Sequence, residues 1–394
     1  MKILYSHRIR SRDGQAVHLE AMVAALRAQG HAVEVVGPAG FAAAGLGGAS
    51  RWLGWVREHL PGWAGELAEM AYALPATWRL VGAARRFAPD VIYERANLFH
   101  PAGALVAAQR GVPLLLEVNA PLAEERARFG RLSWKKLAAE SERFVWRRAT
   151  RVLPVTTVLA GHVARAGVPP ARIAVVPNGI ELADFPPSRP RAEEGTVILG
   201  FIGFLREWHG LEGILRALAA APEGRRMLLR IVGEGPARVG LESLARELGI
   251  TRQVEFLGLA ERHAVPGLIA GFDVALQPAA VPYACPLKLL EYMAAGRAIV
   301  APDQPNLREL LQHDSTALLF APGDAAAQWR AIATLAADAP LRRRLGDAAR
   351  RDVILRDMTW AGQARRVVAL AEAAMAEQRA PRRHQEAGYA EPMG

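Results

Sequence analysis

The chain has 394 residues, 51% hydrophobic and 22% charged, which allows two or three folded domains and excludes a disordered chain; its lone cysteine, Cys285, excludes an internal disulfide or a cysteine-built zinc site. The formal charge of +10 is uneven: residues 1–190 hold 24 Lys/Arg against 15 Asp/Glu, net +9, while residues 191–394 hold 25 against 24. A basic first half implies an anionic partner there: nucleic acid, an anionic membrane or a phosphorylated substrate.

The start, "MKILYSHRIRSRDG", meets charge before any apolar core, and no uncharged apolar run reaches about 18 residues. Neither a secretory signal nor a spanning helix is expected, and the expected location is cytoplasmic. "MKILYSH" reads as a strand, "RIRSRDGQ" as a loop, "AVHLEAMVAALRAQG" as a helix stopped by Gly30, and "HAVEVVGP" as a second strand. Residues 41–80 then break the pattern, with Trp52, Trp55, Trp63 and Trp78 among leucines and a few arginines. Tryptophan beside arginine at helical spacing suits a membrane interface; equally, such residues pack into a domain. The strand–helix alternation resumes with "DVIYER", "PAGALVAAQRGV" and "PLLLEVNAP", and continues through a long helix to "TRVLPVT" and "ARIAVVPNGI". This alternation predicts a parallel α/β domain over residues 1–180.

Residues 181–194 are charged and Pro-rich and read as a linker. A second α/β series follows over 195–358, from "TVILGFIGFL" through "RMLLRIVGEG", "VEFLG" and "FDVALQP" to "RAIVAP". A last helix is expected over 359–380, and the tail 381–394 is expected to be disordered.

In open parallel sheets ligands bind beyond the C-terminal ends of strands. Four stretches of this sequence fall there. "SRDGQ" supplies Gly14 ahead of a helix whose free amides suit an anion. "GFLREWHG" supplies Gly203, Arg206 and His209, cations suited to a diphosphate. "IVGEGP" supplies Gly233 and Glu234, but its third glycine is misplaced for a nicotinamide fingerprint. "VPYACPLKLLE" opens a helix: Lys288 and the amides of residues 287–289, Leu289 included, can hold a phosphate, and Glu291 one turn on can accept from a sugar's hydroxyls. A plain solvated ion pair of Lys288 with Glu291 is the bland alternative.

Taken in order, these stretches resemble glycosyltransferase family 4, whose GT-B fold has two facing Rossmann-like domains with a cleft between them. The resemblance runs from "RDGQAVHLEAMVAALRAQGHAVEVVGP" through "VVPNGIE", "FIGFLREWHGLEGILRAL" and "PLKLLEYMAAGRAIVAPDQPNLRELL" to "DMTWAGQARRVVAL", which is similar to a last helix crossing back to the first domain. It implies that Glu291 binds the donor ribose, that the helix start and Lys288 take the diphosphate, and that Arg206 and His209 stabilise its departure. It also implies transfer from a nucleoside-diphosphate sugar, UDP-linked by expectation, with retention of configuration, no metal and no cofactor. Two positions depart from the family pattern. Tyr283 stands where a sugar-contacting glutamate is usual, eight residues before Glu291, and His209 stands where a lysine is usual.

Glu94 and Arg95 in "YER", and Glu117 and Asn119 in "LEVNAP", end strands on the cleft side and are candidate acceptor or sugar contacts, as is Tyr283. The expected acceptor is a saccharide or a lipid-linked saccharide, met in the latter case at an anionic membrane face. Scattered cations without stacking aromatics argue against nucleic acid. A GT-B epimerase and a catalytically silent nucleotide-sugar binder stand as alternatives.

Overall fold

The computed structural model describes residues 1–9, 14–38, 62–130, 132–187, 195–221 and 227–387. The chain forms two compact units, Met1–Asn178 with Trp360–Gly394, and Gly179–Thr359. In the first unit the elements are β1 (Lys2–Ser6), α1 (Gly14–Ala28), β2 (Ala32–Val36), α2 (Gly62–Phe87), β3 (Val91–Arg95), α3 (Ala102–Arg110), β4 (Leu114–Val118), α4 (Leu122–Phe129), α5 (Lys135–Arg148), β5 (Arg151–Pro154) and α6 (Thr157–Arg165). All strands pair in parallel, in the order β2-β1-β3-β4-β5. Both β3 and β4 are buried along their whole length, as parallel strands covered on both faces must be. Even so, they carry Glu94, Arg95 and Glu117, charges that a core strand keeps only with partners.

The second unit contains β6 (Val197–Ile202), α7 (Leu211–Ala219), β7 (Met227–Val232), α8 (Arg238–Glu247), β8 (Val254–Gly258), α9 (Val265–Ala270), β9 (Val274–Leu276), α10 (Leu287–Ala294), β10 (Ala298–Pro302), α11 (Pro305–Arg308), β11 (Leu318–Phe320), α12 (Ala325–Ala337) and α13 (Ala339–Leu355). Its sheet order is β11-β10-β9-β6-β7-β8, again parallel. Counted from β6 this is the doubly wound order 3-2-1-4-5-6, which reverses between β6 and β9. The first sheet reverses between β1 and β3. Those two places are where loops diverge and leave room for a ligand.

Two boundaries differ from the sequence reading. The expected linker is packed at its start: Phe185 is buried, its carbonyl accepts from Arg350 at 2.7 Å, and Ile180 bridges to Thr359. A phenylalanine amid prolines outweighed the linker-like composition, and residues 188–194 lie outside the described residues. The last helix, α14 (Trp360–Ala387), runs past 380, because Ala, Glu, Gln and Arg favour helix beyond the expected stop at Pro381. Residues 388–394 lie outside the described residues, as do Trp52 and Trp55.

Candidate active site

In the second unit the site is assembled where β6 and β9 part. Phe201, fully buried in β6, carries Lys288 on one side, with Nζ 4.0 Å from the ring centre, and His209 on another, the rings 5.3 Å apart. Helix α10 is pinned to this place by Tyr292, whose hydroxyl accepts from Ile202 N at 3.1 Å and faces Leu276 O at 3.4 Å. Lys288 Nζ lies over Gly203, 2.8 Å from where a Cβ would stand, and the φ of 143° there is one that glycine alone takes readily. The buried ammonium has no hydrogen-bond partner among the described residues, and burial pushes it down to about 7 despite the opposing pull of Glu291. His209 is pushed down to about 3, by burial first and then by Lys288 and Arg206, so the imidazole is neutral at physiological pH. Arg206 is exposed, its guanidinium stacked on Phe204 and Trp208 at 4.6 and 5.0 Å.

Glu291 is buried one turn into α10, and its Oε1 accepts from Arg262 Nη1 at 2.5 Å. Its Oε2 has no partner among the described residues and is free to accept. Arg262 was not foreseen: it comes from a turn 29 residues upstream and no motif marks it. The loop ahead of α10 is held by side-chain amides that were also not foreseen. Gln277, Gln304, Asn306 and Gln328 donate to the carbonyls of Ala279, Ala280, Val281 with Ala284, and Pro278.

Three expected donor contacts also have partners within the chain. Leu289 N donates to Pro286 O at 3.1 Å, which leaves Leu287 and Lys288 to open the helix. Gly233 packs against the neighbouring loop, where a Cβ would fall 2.0 Å from Gly203 O, with φ at 135°. Glu234 is ion-paired to Arg238, and its carbonyl accepts from Leu205 N at 2.8 Å, holding the Gly203–His209 loop in place. Tyr283 is buried in the loop before α10.

In the first unit Glu117 is a hub. Its Oε2 accepts from His18 and Tyr93 at 2.8 Å each and faces Tyr5 at 3.4 Å; its Oε1 accepts from Arg95 at 2.6 Å and from Asn119. His18 also meets Asn178 Oδ1 at 2.8 Å and stacks edge-on with Trp360. Burial alone would raise the carboxyl's pKa. His18, Arg95 and the hydrogen bonds outweigh it and hold Glu117 well below the usual carboxylate range. Glu117 and Arg95, expected as acceptor or sugar contacts, are both buried, Glu117 with each oxygen bonded to neighbours and Arg95 with Nη1 on Glu117. A lone histidine on the apolar side of α1 was the available signal for this hub. Glu94 is fully buried, with Oε2 accepting from Ser6 Oγ and Gly103 N at 2.9 Å each, and burial pushes it up to about 8 against those two bonds. Gly14 opens α1.

Residues 186–352 match the family model Glycosyl transferases group 1, and residues 12–184 match Glycosyltransferase Family 4. The GDP-mannose-dependent alpha-mannosyltransferase of Mycolicibacterium smegmatis is 30% identical over 291 residues, 72% of this chain and 73% of that protein. The chain belongs to the group 1 glycosyltransferases. This glycosyltransferase is also 28% identical over 312 residues to the 2-deoxystreptamine N-acetyl-D-glucosaminyltransferase of Streptomyces fradiae, covering 74% of this chain and 71% of that one. Among solved structures it resembles Anabaena HepE in complex with UDP, at 18% identity and a TM-score of 0.73, over 95% of this chain and 100% of the other. HepE has also been crystallised with UDP-glucose. The expected fold class is the observed one, GT-B with two parallel-sheet α/β domains.

Proposed function

We propose that this glycosyltransferase moves a sugar from a uridine-diphosphate sugar to a saccharide or lipid-linked acceptor, with retention and without a metal or cofactor. The observation that carries the reading is the buried, unpartnered Lys288 ammonium beside Arg206 and His209 at the start of α10. A buried cation without a counter-ion is costly, and a diphosphate would relieve that cost. As the bond from C1 to the phosphate oxygen breaks, negative charge grows on the diphosphate. Arg206, Lys288 and the α10 amides can stabilise it, with neutral His209 contributing an N–H dipole. The acceptor oxygen bonds to C1 on the same face, and its proton passes to the departing phosphate oxygen. Glu291, oriented by Arg262, would take the ribose through Oε2.

The test is transfer from radiolabelled UDP-, GDP- and dTDP-sugars, with and without chelator, beside calorimetric titration of UDP. We expect transfer that survives chelator. Glu291→Ala should weaken UDP roughly tenfold or more, since a hydrogen bond to a charged group contributes about 1.5–3 kcal/mol. Interconversion of the donor without transfer would indicate the epimerase, and tight UDP binding without turnover the silent binder.

The lipid-linked form of the acceptor is favoured by α5. Its exposed side carries Lys135, Lys136, Arg143, Arg147 and Arg148 against the one exposed acid Glu140, with Leu137 and Phe144 uncovered among them, 48% and 39% exposed. Each cation near an anionic leaflet contributes about 1 kcal/mol, so this face would give reversible attachment at the cytoplasmic surface. No helix among the described residues is long and apolar enough to cross a membrane. Vesicle sedimentation should show salt-sensitive binding to anionic lipid and none to neutral lipid. Indifference to lipid charge leaves the soluble acceptor.

A further inference from the structure

We infer that the acceptor is a sugar bearing an oxyanion, in the first place a phosphate, read in the first unit by Arg79, Arg8 and His100 where β1 and β3 part. This deepens the glycosyl-transfer reading and rests on it. Arg8 follows β1; its Nη1 donates to Leu98 O at 3.1 Å and its guanidinium lies 5.0 Å from the centre of the Tyr72 ring. Arg79 reaches the same ring from α2, at 5.2 Å, with Nη2 donating to the Tyr72 hydroxyl at 2.6 Å. Two cations thus share one aromatic side chain.

Among the described residues Arg79 Nε is buried with no hydrogen-bond partner, and so is Nδ1 of His100, a residue close enough to feel both arginines. A guanidinium N–H can only donate, so the unfilled position calls for an acceptor oxygen. The neighbouring carboxyl does not fill it: Glu94 Oε2 is held by Ser6 and Gly103, 3.7 Å from His100 Nε2, and Oε1 is buried with no partner among the described residues, so it does not reach Arg79.

Arg79 also joins this cluster to a cavity of about 520 Å³ between α2 and the end of β2, lined by Trp78, Gly37 and Arg86, with Glu34, its one acid, 3.8 Å from Arg86. Gly37 backs directly onto His7, since a Cβ there would strike its ring at 2.2 Å. Trp78 is 78% exposed, an indole face of the kind that stacks on the apolar side of a sugar ring. An aromatic wall, a volume typical of small-ligand sites and an unsatisfied guanidinium fit a sugar with an anionic substituent better than a neutral one.

The test is calorimetric titration of the full chain, without UDP, by the 6-phosphates of glucose, mannose and N-acetylglucosamine, by the three neutral sugars and by inorganic phosphate. At least one sugar phosphate should bind tenfold or more tighter than its neutral sugar and than inorganic phosphate. Arg79→Ala should weaken it at least tenfold, and Arg79→Lys, which keeps the charge and loses the fork, should fall between. Circular dichroism and thermal melts of the full chain, unchanged in both variants, show that the first unit is folded, and a parallel UDP titration shows the same for the second. Equal binding of neutral and phosphorylated sugars, or an Arg79→Ala affinity equal to wild type, overturns the inference. Inorganic phosphate binding as tightly as any sugar phosphate overturns the assignment to a sugar. Failure of wild type to bind UDP counts against the nucleotide reading instead, because the sugar titrations are made without it.

Discussion

The proposed function makes nucleotide binding depend on pH through Lys288. Its ammonium is pushed down to about 7 by burial, and a bound diphosphate would favour the charged form and raise it again. Above pH 7 the free protein has lost this proton, so binding must take one up. The sign follows: UDP affinity is constant well below pH 7 and falls as pH rises above it, by up to about tenfold per unit. Measurements above pH 7.5 avoid titration of the phosphate itself, whose second pKa is near 6. Calorimetry in buffers of differing ionisation enthalpy should show proton uptake there, and Lys288→Met should abolish it. Proton uptake that persists in Lys288→Met would mean that another group titrates. Glu94 shows the opposite economy, a carboxyl kept protonated by burial, up to about 8, although Ser6 and Gly103 favour the ionised form. The native state holds a proton that the unfolded chain gives up near 4.5, so Glu94 costs stability progressively as pH rises from about 4.5 to 8. Glu94→Gln keeps an acceptor for Ser6 and Gly103 and has nothing to ionise. Its unfolding free energy should gain on wild type across that window, at most about 1.4 kcal/mol per unit, and run parallel to it outside. A difference flat in pH, from denaturant melts of the full chain, would exclude a buried neutral acid.

At the scale of elements, what was legible was local. Period and punctuation gave the alternating strands and helices, and the three-residue spacing of Lys288 and Glu291 put both on one turn of α10, as found. Residues whose meaning depends on distant partners were not legible. Glu117 gathers Tyr5 from β1, His18 from α1 and Tyr93 from β3, partners that its strand-end position does not reveal. Glu234 and Gly233 were read by the same rule, and their contacts with the Gly203–His209 loop were not legible. Arg262 and the four amides that hold the loop before α10 act across 2 to 50 residues of sequence, on backbone carbonyls or a lone carboxylate, and leave no pattern. Helix α2 passes through Pro75, because tertiary burial of Ala76, Leu80, Ala83 and Ala84 outweighs one lost backbone bond. The reading of residues 41–61 falls outside the described residues.

At the scale of the whole molecule, the first unit is discontinuous in sequence: it leaves off at Asn178 and is completed by α14. Trp360, Gln363, Ala364, Val367, Ala371 and Ala374 of that helix are all buried. Trp360 meets His18, Gln29 Nε2 donates to Ala361 O at 2.9 Å, and Arg151 pairs with Glu377. Burying a large apolar side chain contributes about 1.5–3 kcal/mol, so removing Trp360 and Val367 alone approaches half the net stability of an ordinary domain. Trp360 also covers His18, so the loss would reach the Glu117 hub, where a buried carboxylate would face water. The second unit has the contrary topology. Residues 179–359 are continuous, contain a complete six-stranded sheet, and hold Arg206, His209, Lys288, Glu291 and Arg262 together. We therefore expect the fragment 179–359 to unfold cooperatively on heating and to bind UDP within about tenfold of the full chain. The fragment 1–178 should lack a cooperative transition and recover one when a peptide of residues 360–387 is supplied. A cooperative melt of 1–178 at the temperature of the full chain would show that α14 adds nothing the first unit needs. Failure of a well-folded 179–359 to bind UDP would show that the nucleotide site needs residues of the first unit as well.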